Sequence, residues 1–227
     1  MGSNPLTLVL LPGLGADARL FDPQRVDFPD LISPPWLDPE RGESLSAYAS
    51  RMATRVRDLL PPDHGPLILG GVSFGGMLAA EMAPLLKPHA VVLIGSALHP
   101  GEIAVSLRLM AMAGRWMPAP SGPAARVMAR TFIRRLGPMT REQRRFLETM
   151  VDAVPYSFLQ WATGAIFGWG GVCKVASKLV RLHGEHDRII PFPRAHLVHK
   201  IVGAGHLPSV SHADEVNRHL RTLSRSV

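Results

Sequence analysis

Cysteine is all but missing from this chain of 227 residues. Cys173 stands alone, so no internal disulfide forms, a cysteine-based metal site is excluded, and a reducing, cytoplasmic setting is expected. No apolar run approaches the roughly 18 residues that a membrane-spanning helix needs, and the N-terminus shows no charged start, apolar core and cleavage site of a signal peptide. Internal repeats and low-complexity linkers are absent as well. With the length, this points to one sizeable domain carrying an elaboration rather than to two domains. Lysine is scarce beside arginine, and one stretch is short of acid: from Ser106 to Leu147 nine arginines stand against Glu142 alone. The net charge of +7 is therefore uneven. Nucleic acid is not the expected partner, because neither a recognition motif nor interleaved aromatics accompany that charge.

What is present alternates. Leu6 to Leu11 is a β-run buried on both faces, stopped by Pro12-Gly13. A short apolar stretch, Val26 to Ile32, is expected to add a brief strand among prolines. Ser44 reads as an N-cap, followed at helical spacing by Leu45, Tyr48, Met52, Val56, Leu59 and Leu60 until Pro61-Pro62. A second β-run ends in Gly71-Val72-Ser73-Phe74-Gly75-Gly76, and Met77, Leu78, Met82, Leu85 and Leu86 continue as a helix. His89 to Ile94 is a third strand. This alternation is the mark of βαβ units and a parallel sheet. It breaks between residues 102 and 167, which are helical in pattern throughout, and strands resume at Leu179 to Leu182 and Leu197 to Val202 before a closing helix, Asp214 to Leu223.

Gly71-Val72-Ser73-Phe74-Gly75 fits a sharp strand-to-helix turn that lifts a serine Oγ clear of the backbone. The flanking glycines have a steric reason, because a strained turn at Ser73 brings residues 71 and 75 against neighbouring backbone. Two further loops end predicted parallel strands, where open α/β sheets hold their ligands. They carry Asp187, in His183-Gly184-Glu185-His186-Asp187, and His206, in Gly203-Ala204-Gly205-His206.

Ser, Asp and His in this chain order, in these contexts, resemble the catalytic set of the α/β-hydrolases. GVSFGG is similar to that family's nucleophile elbow, HGEHDRIIP to its acid loop, GAGH to its histidine loop and LLPGLG to its oxyanion turn, with Pro12 in place of a common histidine. The resemblance runs over nearly the whole chain and is to the small, lid-bearing esterases and thioesterases. It implies an α/β fold with a trimmed, mostly parallel sheet of about six strands, helices on both faces and a helical lid after the sixth family strand. The expected core is 1–99 with 175–227, and the expected lid is 100–174.

It also implies that Ser73 is the nucleophile of an ester- or thioester-cleaving reaction, His206 the base and later acid, and Asp187 the group orienting it. The backbone N–H groups of Leu14 and Phe74 would form the oxyanion hole. No metal or organic cofactor is implied, and His183 and His186 lack a third ligand at suitable spacing. His212 competes with His206, and Glu102 with Asp187, since some relatives place the acid after the sixth strand. His99 either faces the substrate or is a solvated turn residue. Leu107, Leu109, Met110, Met112, Trp116 and Met117 either line a pocket for an apolar group or pack the lid on the core, and Met110 and Trp116 are the expected pocket residues among them. SFLQWATGAIFGW at 157–169 resembles a structural helix before the seventh strand. The arginine run suits an acidic acyl carrier, coenzyme A phosphates, an anionic membrane surface, or simple solvation. A lyase, a C–C hydrolase or a non-catalytic binding protein on the same fold stays open.

Overall fold

The computed structural model describes residues 6–114, 131–193 and 197–225. A five-stranded parallel sheet runs through it, with β1 (Thr7–Leu11), β2 (Leu67–Val72), β3 (Ala90–Ile94), β4 (Lys178–Gly184) and β5 (Val198–Ile201) hydrogen-bonded in that order. β1, β2 and β3 are buried at every position. Both faces are covered, which is why these strands read as continuous apolar runs and not as alternating ones. In β3 the two faces separate cleanly: Ala90, Val92 and Ile94 join the main core, while Val91 and Leu93 pack in a smaller cluster with the helical Ala80 and Ala83. β5 carries the exposed His199 and Lys200.

About six strands are expected, and five form among the described residues. The sixth segment is reduced to an isolated parallel bridge between Ile32 and Val9, made by Ile32 N–H to Leu8 O and Leu10 N–H to Ile32 O. Pro29 precedes this pair and Pro34-Pro35 follow, and proline has no N–H to extend a ladder.

Helix α1 (Leu45–Leu59) begins at Ser44, whose side chain accepts from Ala47 N–H, and it buries Leu45, Tyr48, Met52 and Val56. Leu59, at the end of the same pattern, is exposed. Helix α2 (Phe74–Leu86) starts directly after Ser73 and packs against α1, β1, β2 and β3. Leu85, which continues the apolar pattern of this helix, faces outward. Between β3 and β4 the described elements are helical: α3 (Val105–Gly114), a turn or so at 131–135, α4 (Arg141–Val151) and α5 (Tyr156–Phe167). α4 is fixed at its start by a reciprocal capping box between Thr140 and Gln143. α6 (Ala213–Ser224) closes the chain and buries Val216, Leu220 and Leu223. Among the described residues no helix is long and apolar enough to cross a membrane.

Candidate active site

Ser73 occupies the turn between β2 and α2 with φ 51° and ψ −117°, a strained conformation for a residue with a Cβ. The neighbouring glycines make this turn possible. A Cβ on Gly75 would stand 2.1 Å from Leu11 O, and one on Gly71 would stand 2.4 Å from the carbonyl carbon of Gly75. The elbow is thus wedged against the end of β1, and Ser96 Oγ–H donates to Ser73 O at 2.6 Å from the neighbouring strand end.

The loops after β4 and β5 bring two more side chains to the same place. Ser73 Oγ–H donates to His206 Nε2 across 2.9 Å, and His206 Nδ1–H donates to Asp187 Oδ2 across 2.8 Å. A neutral imidazole that donates from Nδ1 to a carboxylate keeps the Nε2 lone pair for the serine proton. Asp187 Oδ1 accepts from the backbone N–H groups of Ile189 and Ile190 at 2.8 and 2.9 Å, so the carboxylate cannot swing away from the ring. Burial alone would push the Asp187 carboxyl up. The attraction of His206 in its protonated form, with hydrogen bonds from His183, His206 and Ile190, outweighs burial and holds it well below the usual carboxylate range.

The histidine loop is packed without slack. A Cβ on Gly184, the glycine of the acid motif, would stand 1.9 Å from Gly205 O, which gives that glycine a steric purpose. On the opposite side His206 N–H donates to Leu136 O at 2.7 Å, and a Cβ on Gly137 (φ 107°) would stand 2.7 Å from Gly205 Cα. The helical insertion therefore grips the backbone of His206 directly.

The Pro12 to Ala16 turn passes over Ser73, with the position of a Gly13 Cβ only 3.7 Å from Ser73 Cβ. Among the described residues the Leu14 N–H has no hydrogen-bond partner. Phe74 opens α2, so its N–H lies outside the intrahelical ladder, at the positive end of the helix. Both residues line a cavity of about 650 Å³ that also contains Ser73 and His206. Its remaining wall is mostly apolar and draws on Met77, Leu107, Leu147, Leu159, Ile166 and Ile189. A second cavity of about 450 Å³, beside Ser44 and Trp161, touches none of the Ser73, His206 or Asp187 side chains.

Several expected residues fall elsewhere. His99 is exposed and outside the cavity lining; its Nδ1 accepts from Gly101 N–H at 2.9 Å and caps the turn after β3. Trp116, Met112 and Met117 lie outside the described residues or side chains, as does the side chain of Met110, whose backbone belongs to α3. Leu107 lines the cavity, whereas Leu109 is 60% exposed. Glu102 pairs with the buried Arg181 and accepts from Leu98 N–H, so it is engaged away from His206. His212 Nδ1 lies 2.9 Å from Ser211 Oγ. His186 is exposed, while His183 is buried against Asp187. Of the arginines, Arg135 lines the cavity and Arg134, Arg141 and Arg145 are exposed; Arg115, Arg126 and Arg130 lie outside the described residues.

The helix read as structural contributes more than expected. Tyr156, Leu159, Thr163 and Ile166 of α5 all face the cavity, at spacings of one helical face, a pattern visible in the sequence. Asp152, at the end of α4, joins them.

The fold is that of the α/β-hydrolase class. The alpha/beta hydrolase family profile matches residues 8–219, and the chain belongs to that family. No curated protein matches in sequence. Among solved structures, a thermophilic esterase from Thermogutta terrifontis superposes with a TM-score of 0.77 at 21% identity, covering 99% of this chain and 91% of its own. A putative aryl esterase from Burkholderia cenocepacia gives 0.74 at 17% identity, covering 99% and 90%. A meta-cleavage product hydrolase from Pseudomonas fluorescens gives 0.64 at 17% identity, covering 97% and 90%. At such identities the likeness carries the fold and leaves the substrate to the site itself.

Proposed function

We propose that this protein is a serine hydrolase cleaving a carboxylic ester or thioester through an acyl-enzyme on Ser73. The observation that carries the reading is the unbroken hydrogen-bonded chain from Ser73 Oγ through His206 to Asp187, opening into an apolar cavity. Ser73 Oγ attacks the carbonyl carbon while its proton passes to His206 Nε2. The resulting oxyanion is held by the N–H groups of Leu14 and Phe74, each contributing roughly 3 to 4 kcal/mol in comparable sites. Collapse breaks the bond to the alcohol or thiol, which takes the proton from His206. Water, deprotonated by the same nitrogen, then attacks the acyl-enzyme, and the carboxylic acid leaves with Ser73 restored. Asp187 keeps the ring in the required tautomer and stabilises the imidazolium. The apolar wall favours an acyl group larger than acetyl.

Arg135 in the wall and the exposed Arg134, Arg141 and Arg145 suit an anionic leaving group such as a carrier-bound or coenzyme A thiol. Turnover of such thioesters would then fall steeply with ionic strength while that of neutral esters would not. A second reading is a C–C hydrolase or lyase, favoured by Tyr156 and Asp152, which bring proton-transfer groups from the insertion to the cavity wall.

The test is intact mass after exposure to a fluorophosphonate, for wild type and Ser73→Ala. One adduct on wild type and none on the variant is expected. Equal labelling of both places the reactive nucleophile elsewhere and overturns the assignment, and no label on folded wild type overturns it and leaves a binding protein. A panel of esters, thioesters and vinylogous C–C substrates then separates the two readings.

A further inference from the structure

His183 is a second histidine on the Asp187 carboxylate, and it takes no part in the chemistry above. It is 1% exposed, stands at the end of β4 four residues before Asp187, and packs edge-on against Phe192 with ring centroids 5.8 Å apart. Its Nε2 lies 2.7 Å from Ile190 O and 3.2 Å from Asp187 Oδ2. Both partners are acceptors only, so Nε2 carries a proton and donates to both. One carboxylate oxygen, Oδ2, thus serves two histidines, His206 from the loop after β5 and His183 from β4.

We propose that His183 is a positioning residue: through its Nε2–H it closes the acid loop onto Ile190 O and shares the charge of Asp187 Oδ2, which keeps the base His206 active to lower pH. This deepens the serine-hydrolase reading and rests on it. Two donors on one oxygen divide its negative charge. With His183 in place, Asp187 stabilises the imidazolium form of the base less than it would alone, so the base stays neutral, and able to accept the serine proton, further into acid. Among the described residues the other charged groups near the acid loop are turned elsewhere. Arg181 of β4 is paired with Glu102 and donates to Ser96 O, Glu185 is paired with Lys200, and His186 and Arg188 are exposed. The end of β3 presents Gly95, which has no side chain, 3.6 Å from Oδ2 to the position of a Cβ. Among the described residues His183 and His206 are the two titratable side chains in contact with Asp187.

The experiment compares wild type, His183→Phe, which keeps a flat ring without a donor, and His183→Gln, whose amide nitrogen can replace Nε2. In His183→Phe the acid limb of the kcat/KM profile moves up by about half to one pH unit, the size of one hydrogen bond, with KM on the alkaline plateau unchanged. His183→Gln returns the limb toward wild type. A folded His183→Phe with the wild-type limb, or a Gln variant shifted as far as Phe, overturns the proposal. Should His183→Phe fail to fold, nitrogen-15 NMR of the wild-type histidines decides it: Nε2 of His183 protonated throughout the pH range of the limb is expected, and an unprotonated Nε2 overturns it. That tautomer does not depend on turnover. A Ser73→Ala variant as active as wild type would instead refute the hydrolase reading, so the two failures are separable.

Discussion

Asp187→Asn asks the most of the proposed mechanism, because the structure fixes what the amide must do. Oδ1 accepts from two backbone N–H groups, Ile189 and Ile190, which cannot turn into acceptors. The amide oxygen of the substituted side chain therefore has to take that side, and its NH2 takes the place of Oδ2. There it meets His206 Nδ1 and His183 Nε2. His183 needs its proton for Ile190 O, while His206 can relieve the clash by moving its proton to Nε2. That inverted tautomer cannot accept from Ser73. The expected loss is about ten-thousand-fold in kcat at neutral pH, or about 5 kcal/mol of barrier, with little change in KM. Stability should respond to pH with a definite sign. The Asp187 carboxyl is held below its usual range in the folded chain, so its contribution is complete above the ordinary carboxylate value and is lost as pH falls toward the depressed native one. The variant lacks that contribution, and its Tm should fall less than that of wild type between about pH 5 and 3. Ester hydrolysis and thermal melts across pH provide the assay. A folded Asp187→Asn retaining more than about a tenth of wild-type kcat would refute the tautomer argument.

Glu102→Gln tests the competing acid. The buried Arg181 loses its counter-charge, which should cost roughly 2 to 4 kcal/mol because Glu102 is partly exposed, while kcat stays within a few-fold; a collapse of kcat like that of Asp187→Asn would move the acid to Glu102. Gly137→Ala puts a Cβ 2.7 Å from Gly205 Cα at a positive φ, and should lower kcat at least tenfold and Tm by several degrees, about 2 kcal/mol of strain; a wild-type kcat would show that the Leu136 contact does not hold the base. Leu159→Trp fills part of the cavity wall and should lower kcat/KM for long acyl esters far more than for acetates, measured across a chain-length series. Equal losses for all lengths would place the acyl group elsewhere.

The parts of this molecule legible in the sequence are those whose geometry is local. Ser73 needs its two glycines because the turn itself presses residues 71 and 75 against backbone, and this is a constraint on types at fixed spacing. The Asp187 loop is similarly self-contained, since Ile189, Ile190 and His183 all lie within a few residues of it. Positions that depend on distant packing were not legible. The alternatives for His99 stayed open, and its exposed ring turns back to Gly101 N–H, as a solvated turn residue would. Leu107 and Leu109 look alike in composition, and only the docking of α3 makes one of them wall and the other surface. The stripe from Tyr156 to Ile166 had a readable period, but an amphipathic face says that something is covered and not whether that is core or cavity. Six strands became five because prolines on either side of Ile32 left room for one bridge.

The attachment of the insertion to the histidine loop bears on how substrate enters. Among the described residues two bonds stitch residues 136–143 to that loop and the helical turn after it: His206 N–H to Leu136 O, and Gln143 Nε2–H to Val210 O at 3.0 Å. Each is worth about 1 kcal/mol net, and the close contact of Gly137 with Gly205 adds packing that no larger residue could make. Lifting this segment would release the backbone of the base and disorder the site at the moment of substrate binding. Entry by that route would therefore conflict with the proposed catalysis, whereas among the described residues α3 and Leu107 make no such bond to His206. The 136–143 segment of the insertion is thus tied mechanically to the proposed active site through Leu136, Gly137 and Gln143.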